Sequence, residues 1–128
     1  MTLNPSIQAI NTVGNGSLTA GRVLKTIIER QGPTANFTDT LDGAGNFAAA
    51  LSPQGGFLGS FELTYINNTA YVATIASSVD GTMTVVTTYA SAAIPANSVA
   101  TILIAMTAAG PGVVAAGTAT ILCRSTAT

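Results

Sequence analysis

Histidine is absent from this 128-residue chain, cysteine occurs once, and only 7% of residues are charged. Without an imidazole, neither a histidine-based triad nor an imidazole metal site can be built. The five carboxylates, Glu29, Asp39, Asp42, Glu62 and Asp80, are scattered. Asp39 and Glu62 are conceivable neighbours in space, but no sequence pattern pairs them as a two-carboxylate hydrolase requires. No enzyme is expected, and no cofactor or small-molecule substrate. Cys123 has no partner for an internal disulfide, so it reads as a packed small hydrophobe or a free thiol. Of four basic residues, three are Arg22, Lys25 and Arg30. Counterion-release binding needs several cations on one face, so nucleic acid is not an expected partner.

Typical globular domains carry about 25% charged residues, and the deficit here is the strongest global signal. A monomer stays soluble largely through charge, whereas a subunit that buries its surface in an assembly can use Thr, Ser, Asn and Ala. An oligomer or lattice component is expected; the alternative is a monomer whose polar surface is carried by its 20 Thr and 9 Ser. Residues 81–123 hold no charge at all. Gly110-Pro111-Gly112 interrupts that run and β-branched residues fill it, so a membrane-spanning helix is not expected. Met1-Thr2-Leu3-Asn4-Pro5 has no basic stretch followed by an apolar one, and synthesis in the cytoplasm follows as the default.

The stretch 59–76 holds two strand-like runs joined by Asn67-Asn68, and Asn tolerates the positive φ of a primed two-residue turn. A β-hairpin is expected there, with Tyr65 opposite Ala70, Leu63 opposite Val72 and Phe61 opposite Thr74 on the core face. Before it, residues 1–20 are uncharged and glycine-interrupted. They read as an arm, ordered by a partner or frayed, in which Leu3, Ile7, Ile10 and Val13 recur at three-to-four spacing. Residues 23–31 read as a strand ended by Gly32-Pro33. Leu41, Ala44, Phe47, Ala48 and Leu51 fall at helical spacing, with Thr40 or Asp42 as N-cap and Ser52-Pro53 as the stop. Asp80-Gly81 reads as a turn, followed by strands over 82–89, 98–106 and 113–122 with a corner at 94–97. The expected fold is therefore mainly β: an arm over 1–20, then a single β domain over 21–128. That domain is a sandwich or barrel of six strands with Greek-key or jelly-roll-like connections and one short helix.

Three motifs bear on chemistry. Gly43-Ala44-Gly45-Asn46-Phe47-Ala48 matches G-x-G-x-x-A but lacks the preceding buried strand of a dinucleotide site, and a helix start explains it. Asp39, Asp42 and Asn46 could offer oxygens to a cation, yet their spacing is not that of a calcium loop, and no metal is expected. The N-x-[ST] triplets at Asn15, Asn36 and Asn67 are ordinary in so Asn- and Thr-rich a chain.

Ile27-Ile28-Glu29-Arg30-Gln31-Gly32-Pro33-Thr34-Ala35-Asn36-Phe37-Thr38-Asp39-Thr40-Leu41, Gly59-Ser60-Phe61-Glu62-Leu63-Thr64-Tyr65-Ile66-Asn67-Asn68-Thr69 and Ile94-Pro95-Ala96-Asn97-Ser98 resemble phrases of small capsid decoration, or cement, proteins of tailed bacteriophages. The resemblance implies a β-rich subunit, a homotrimer by preference or a homodimer, on the outer capsid surface of the virion, bound to the major capsid protein after assembly in the host cytoplasm. It implies no catalytic residues. Leu3, Ile7 and Ile10 of the arm, with Arg22, Lys25 and Arg30, are the expected capsid contacts; Arg22, Lys25 and Arg30 equally suit the protection of an edge strand. The alternative is a receptor- or glycan-binding module of a phage head or tail fibre, for which only Tyr65, Tyr71, Tyr89 and four Phe supply aromatics.

Overall fold

Buried and exposed side chains alternate along the strands with the period of two that half-buried sheets require. The computed structural model describes residues 5–51, 59–108 and 112–126. In order, the elements are β1 (Ser6–Ile10), β2 (Gly16–Leu18), α1 (Ala20–Val23), β3 (Thr26–Arg30), β4 (Phe37–Leu41), α2 (Ala44–Leu51), β5 (Ser60–Asn67), β6 (Ala73–Ala76), β7 (Met83–Val86), β8 (Ala93–Ile94), β9 (Ser98–Ala108) and β10 (Ala116–Thr126). They form a six-stranded sheet, ordered β1-β3-β5-β9-β10-β7, and a four-stranded sheet, ordered β2-β4-β6-β8. Ile28, Leu63, Tyr65, Ile102, Ile104 and Ile121 of the larger sheet meet Leu18, Phe37, Leu41, Ile75 and Ile94 of the smaller in one core, to which α2 adds Phe47 and Leu51. The sandwich is the expected one.

Its connections are not those of a jelly roll. From β1 to β6 the chain alternates between the sheets, so that β1, β3 and β5 stack in parallel in one and β2, β4 and β6 in parallel in the other. Ile7, Ile27 and Thr64 lie side by side in the first stack, and Ser17, Thr40 and Ala76 in the second. Parallel neighbours need a crossover, and here a strand of the opposite sheet serves as one. Antiparallel pairing enters only late, at β8 against β6 and in the β5-β9-β10 run.

Several expectations are corrected. The 59–76 hairpin does not form: β5 is already flanked by β3 and β9, which leaves no ladder for β6, and β6 lies in the other sheet. The core face assigned to it is right for Leu63 and Tyr65, both fully buried. Asn67 is no turn residue either; its buried amide donates to the Tyr71, Ile94 and Pro95 carbonyls and so carries the chain from one sheet to the other. The expected arm is part of the β unit from Ser6 onward, because β1 pairs with β3 and β2 with β4; residues 1–4 lie outside the described ones. The strand expected over 23–31 starts only at Thr26, since Thr19 caps the one-turn helix α1 and the chain leaves it through Thr26 at φ 71. β4 was not expected at all. The helix stands where the spacing placed it, although its first N–H, that of Ala44, donates to the Thr82 hydroxyl rather than to Thr40 or Asp42. Ser52-Pro53 lies outside the described residues.

Gly32, two residues past the end of β3, has φ +102, and a Cβ there would stand 2.4 Å from the Asn11 carbonyl oxygen. Gly45 in α2 has nothing within 4 Å of such a Cβ. Urea denaturation is expected to show Gly32→Ala losing about 1 to 3 kcal/mol and Gly45→Ala gaining about 0.5 to 1 kcal/mol.

Candidate functional site

Period two places Arg30 of β3 and Asp39 of β4 on the inward faces of opposing sheets, where both are fully buried. An isolated charge there would be prohibitive, so each must find every partner it can. Arg30 Nε donates to both Asp39 oxygens at 3.1 and 3.0 Å, and the Tyr65 hydroxyl of β5 donates to Asp39 Oδ2 at 2.5 Å. Arg30 Nη1 donates to the carbonyls of Thr12 at 2.7 Å and Gln31 at 3.0 Å, while Nη2 donates to that of Gly14. The guanidinium also lies 4.6 Å from the Phe37 ring centroid. Burial first, then the charge and hydrogen bond of Asp39, push the Tyr65 phenol far above its ordinary pKa, with Arg30 opposing; Tyr65 is a permanent proton donor in this cluster. Gly16 is required beside it, since a Cβ would meet Asp39 Oδ1 at 2.8 Å and Arg30 Nη2 at 3.0 Å. The cluster is saturated and closed, which suits a structural tie and leaves nothing to react.

The expected capsid contacts therefore separate. Ile10 and Arg30 are buried and cannot touch a partner. Ile10 faces the core because it sits in register with Arg30. Ile7, one face over, is 65% exposed. Lys25 is exposed. Arg22 is half-buried, and its Nη1 donates to the Ser17 carbonyl at 2.9 Å on β2, an edge strand, which is edge protection. Leu3 lies outside the described residues. Asp39 points inward and Glu62 lies exposed on the outer face of β5, so they form no pair. Asp39 and Asp42 are likewise held apart by different partners, and among the described residues no group of three or more His, Cys, Asp or Glu could hold a metal.

What remains available is the outer face of the six-stranded sheet. Register aligns Ile7, Ile27, Thr64, Thr101 and Cys123 in one row across it, and Glu62, Leu103, Thr120 and Val86 in the next. Among the described residues Glu29 and Glu62 are the only charges on this face, and Glu29 accepts from the Gln31 amide at 2.8 Å. Apolar, threonine and serine side chains fill the rest of its described positions. The low charge of the sequence hinted at such a face; its membership depended on pairings that no local pattern encodes. No described helix is long and apolar enough to cross a membrane. The chain matches no family model, no curated protein and no solved structure.

Around α2, two carboxyls are held below the ordinary carboxylate range. Burial pulls Asp42 upward, but the Asn46 amide and the Ala20 and Gly43 N–H groups outweigh it, with Asp80 nearby opposing them. Asp80 is lowered by the Thr82 N–H and hydroxyl and by the Ser78 hydroxyl.

Removing Arg30 alone strands the buried Asp39 charge, and Arg30→Met is expected to lose about 3 to 5 kcal/mol in urea denaturation. Tyr65→Phe removes one donor and is expected to lose about 1 to 2 kcal/mol. In Arg30→Met/Asp39→Leu most stability returns, while backbone amides of residues 11–15 exchange faster because their anchor is gone. A carboxyl more acidic folded than unfolded adds stability that is whole above its unfolded pKa of about 3.9 and is lost as pH falls through the folded value. Thermal melts are therefore expected to hold level at about pH 5 and above and to fall below about pH 4, the fall being shallower in Asp42→Asn and Asp80→Asn.

Proposed function

We propose that this protein is a structural subunit that works by packing a β face against other protein, as a cement protein does when it binds the outside of a bacteriophage head and stabilises the major capsid protein lattice. The observation that carries this reading is the nearly uncharged outer face of the six-stranded sheet. Six strands at about 4.8 Å spacing and the eight residues of β5 give it on the order of 650 Å², close to the roughly 800 Å² per partner of a standard interface. Threonine and β-branched side chains on a pleated surface interdigitate with another sheet at low desolvation cost. The three phrases that resemble decoration proteins and the scarcity of charge point the same way.

The mechanism is mechanical. A homo-oligomer seated across several capsid proteins binds the assembled, expanded lattice and not its separated parts, so its binding free energy adds to lattice stability by linkage. Modest contacts from each copy combine through effective concentration.

Light scattering on the purified protein is expected to give a dimer or trimer, and Thr101→Lys, a change at the middle of the outer face, is expected to give a monomer with an unchanged circular dichroism spectrum. The oligomer is expected to pellet with phage heads that lack it and to raise their rupture temperature. A wild-type monomer that ignores heads overturns the proposal.

A further inference from the structure

Arg124 is the one charged residue between position 81 and the end of the chain. It lies at the end of β10, is exposed, and donates from Nη1 to the Ala93 carbonyl of the edge strand β8 at 2.7 Å. That bond ties the guanidinium to the edge of the smaller sheet and leaves Nε and Nη2 without a partner among the described residues. Beside it is an open depression of about 690 Å³, within the range of small-molecule sites. Thr74, Thr87, Thr88, Tyr89 and Ser91 line it together with Arg124, and no carboxylate does. Tyr89 is 72% exposed, and its ring presents an apolar plane beside a polar tip. The Thr74, Thr87, Thr88 and Tyr89 hydroxyls, all on exposed residues lining the depression, make no hydrogen bond to the described residues and are open to a ligand.

We infer that this depression binds a carboxylate-bearing sugar ring. The guanidinium, already oriented by Ala93, offers its two free nitrogens as a fork to a carboxylate, which is the strong, directional form of that contact. The Tyr89 ring takes the apolar face of a pyranose, and the threonine hydroxyls meet the sugar's own hydroxyls. A neutral sugar lacks the group that the fork demands, and a bare carboxylate lacks the ring and hydroxyls that fill the rest. This site is separate from the outer sheet face and stands whether or not that face packs against a capsid.

The test is an amide NMR titration of the full chain with D-glucuronate, D-glucose and acetate over the same range of concentrations. Glucuronate is expected to give saturable shifts confined to residues 87–93 and 124, with glucose and acetate giving none that saturate. Arg124→Gln, which removes both the charge and the fork, is expected to weaken glucuronate binding about tenfold or more, and Arg124→Lys by less, because it keeps the charge but not the fork. Tyr89→Ala, at an exposed position, is expected to weaken it several-fold with the spectrum elsewhere unchanged. No saturable shift with glucuronate, equal binding of glucose, equal binding of acetate at the same residues, or glucuronate affinity unchanged in both Arg124→Gln and Tyr89→Ala would each overturn the inference.

Discussion

A guanidinium held in an apolar interior is the constraint on which this sandwich turns. Arg30 can stay charged there only if a carboxylate from the opposing sheet reaches it, so β3 and β4 must face each other in the one alignment that brings Asp39 to Nε. Tyr65 must then come from the next strand of the larger sheet to fill the remaining lone pair. The residue at position 16 must have no side chain, and the 11–15 segment must turn its Thr12 and Gly14 carbonyls inward. Each requirement follows from the desolvation of one ion, a cost of several kcal/mol that partial pairing does not offset. Pairing of this kind selects among packings more than it deepens any one of them. A slip of one residue in β3 or β4 would turn Arg30 or Asp39 to the outer face and leave its partner stranded.

That selection matters because the coiled path is otherwise weakly specified. Strands such as β2, with three residues, and β6 and β7, with four each, have little ladder of their own. Two polar ties bracket the coil instead. The Arg30 cluster fastens β1, β3, β4 and β5, and the Asn67 amide fastens the exit from β5 to the Tyr71, Ile94 and Pro95 carbonyls. Thr69 completes the second tie by donating to Asn67 Oδ1 at 2.7 Å, so this buried amide is satisfied at both ends. Both ties stand where the chain passes between sheets, the points at which no backbone ladder holds it.

These ties also explain what was and was not legible in the sequence. Long alternating runs such as β9 and the spaced apolar residues of α2 announce themselves, because burial of one face dictates their composition. β4 hid because its inward positions read Phe37, Asp39, Leu41, and an aspartate at a core position looks like a turn. The alternation was present all the same, and Arg30 two places after Ile28 was its counterpart on β3: one cation and one anion, each sitting where period two calls for a hydrophobe. Asn67-Asn68 misled for the opposite reason. Turn propensity is a local quantity, and what Asn67 does is set by carbonyls some 28 residues further on. The same holds for the outer face, since which strands lie beside β5 is a matter of pairing between distant segments.

The distribution of charge closes the argument. Arg30 and Asp39 are consumed in the core, Arg22 on an edge carbonyl, Asp42 and Asp80 in the turns about α2, Arg124 on β8, and Glu29 on Gln31. Only Lys25 and Glu62 carry a charged side chain that no other described group engages. A surface so nearly neutral gives up the mutual repulsion that keeps monomers apart, and threonine-rich sheet loses little by being covered. The edges, by contrast, are guarded: Arg22 occupies the Ser17 carbonyl of β2, and the Gln8 amide the Ala9 carbonyl of β1 at 3.0 Å. Strand addition at these two edges is thereby opposed, while the broad face carries few charges that would oppose its being covered.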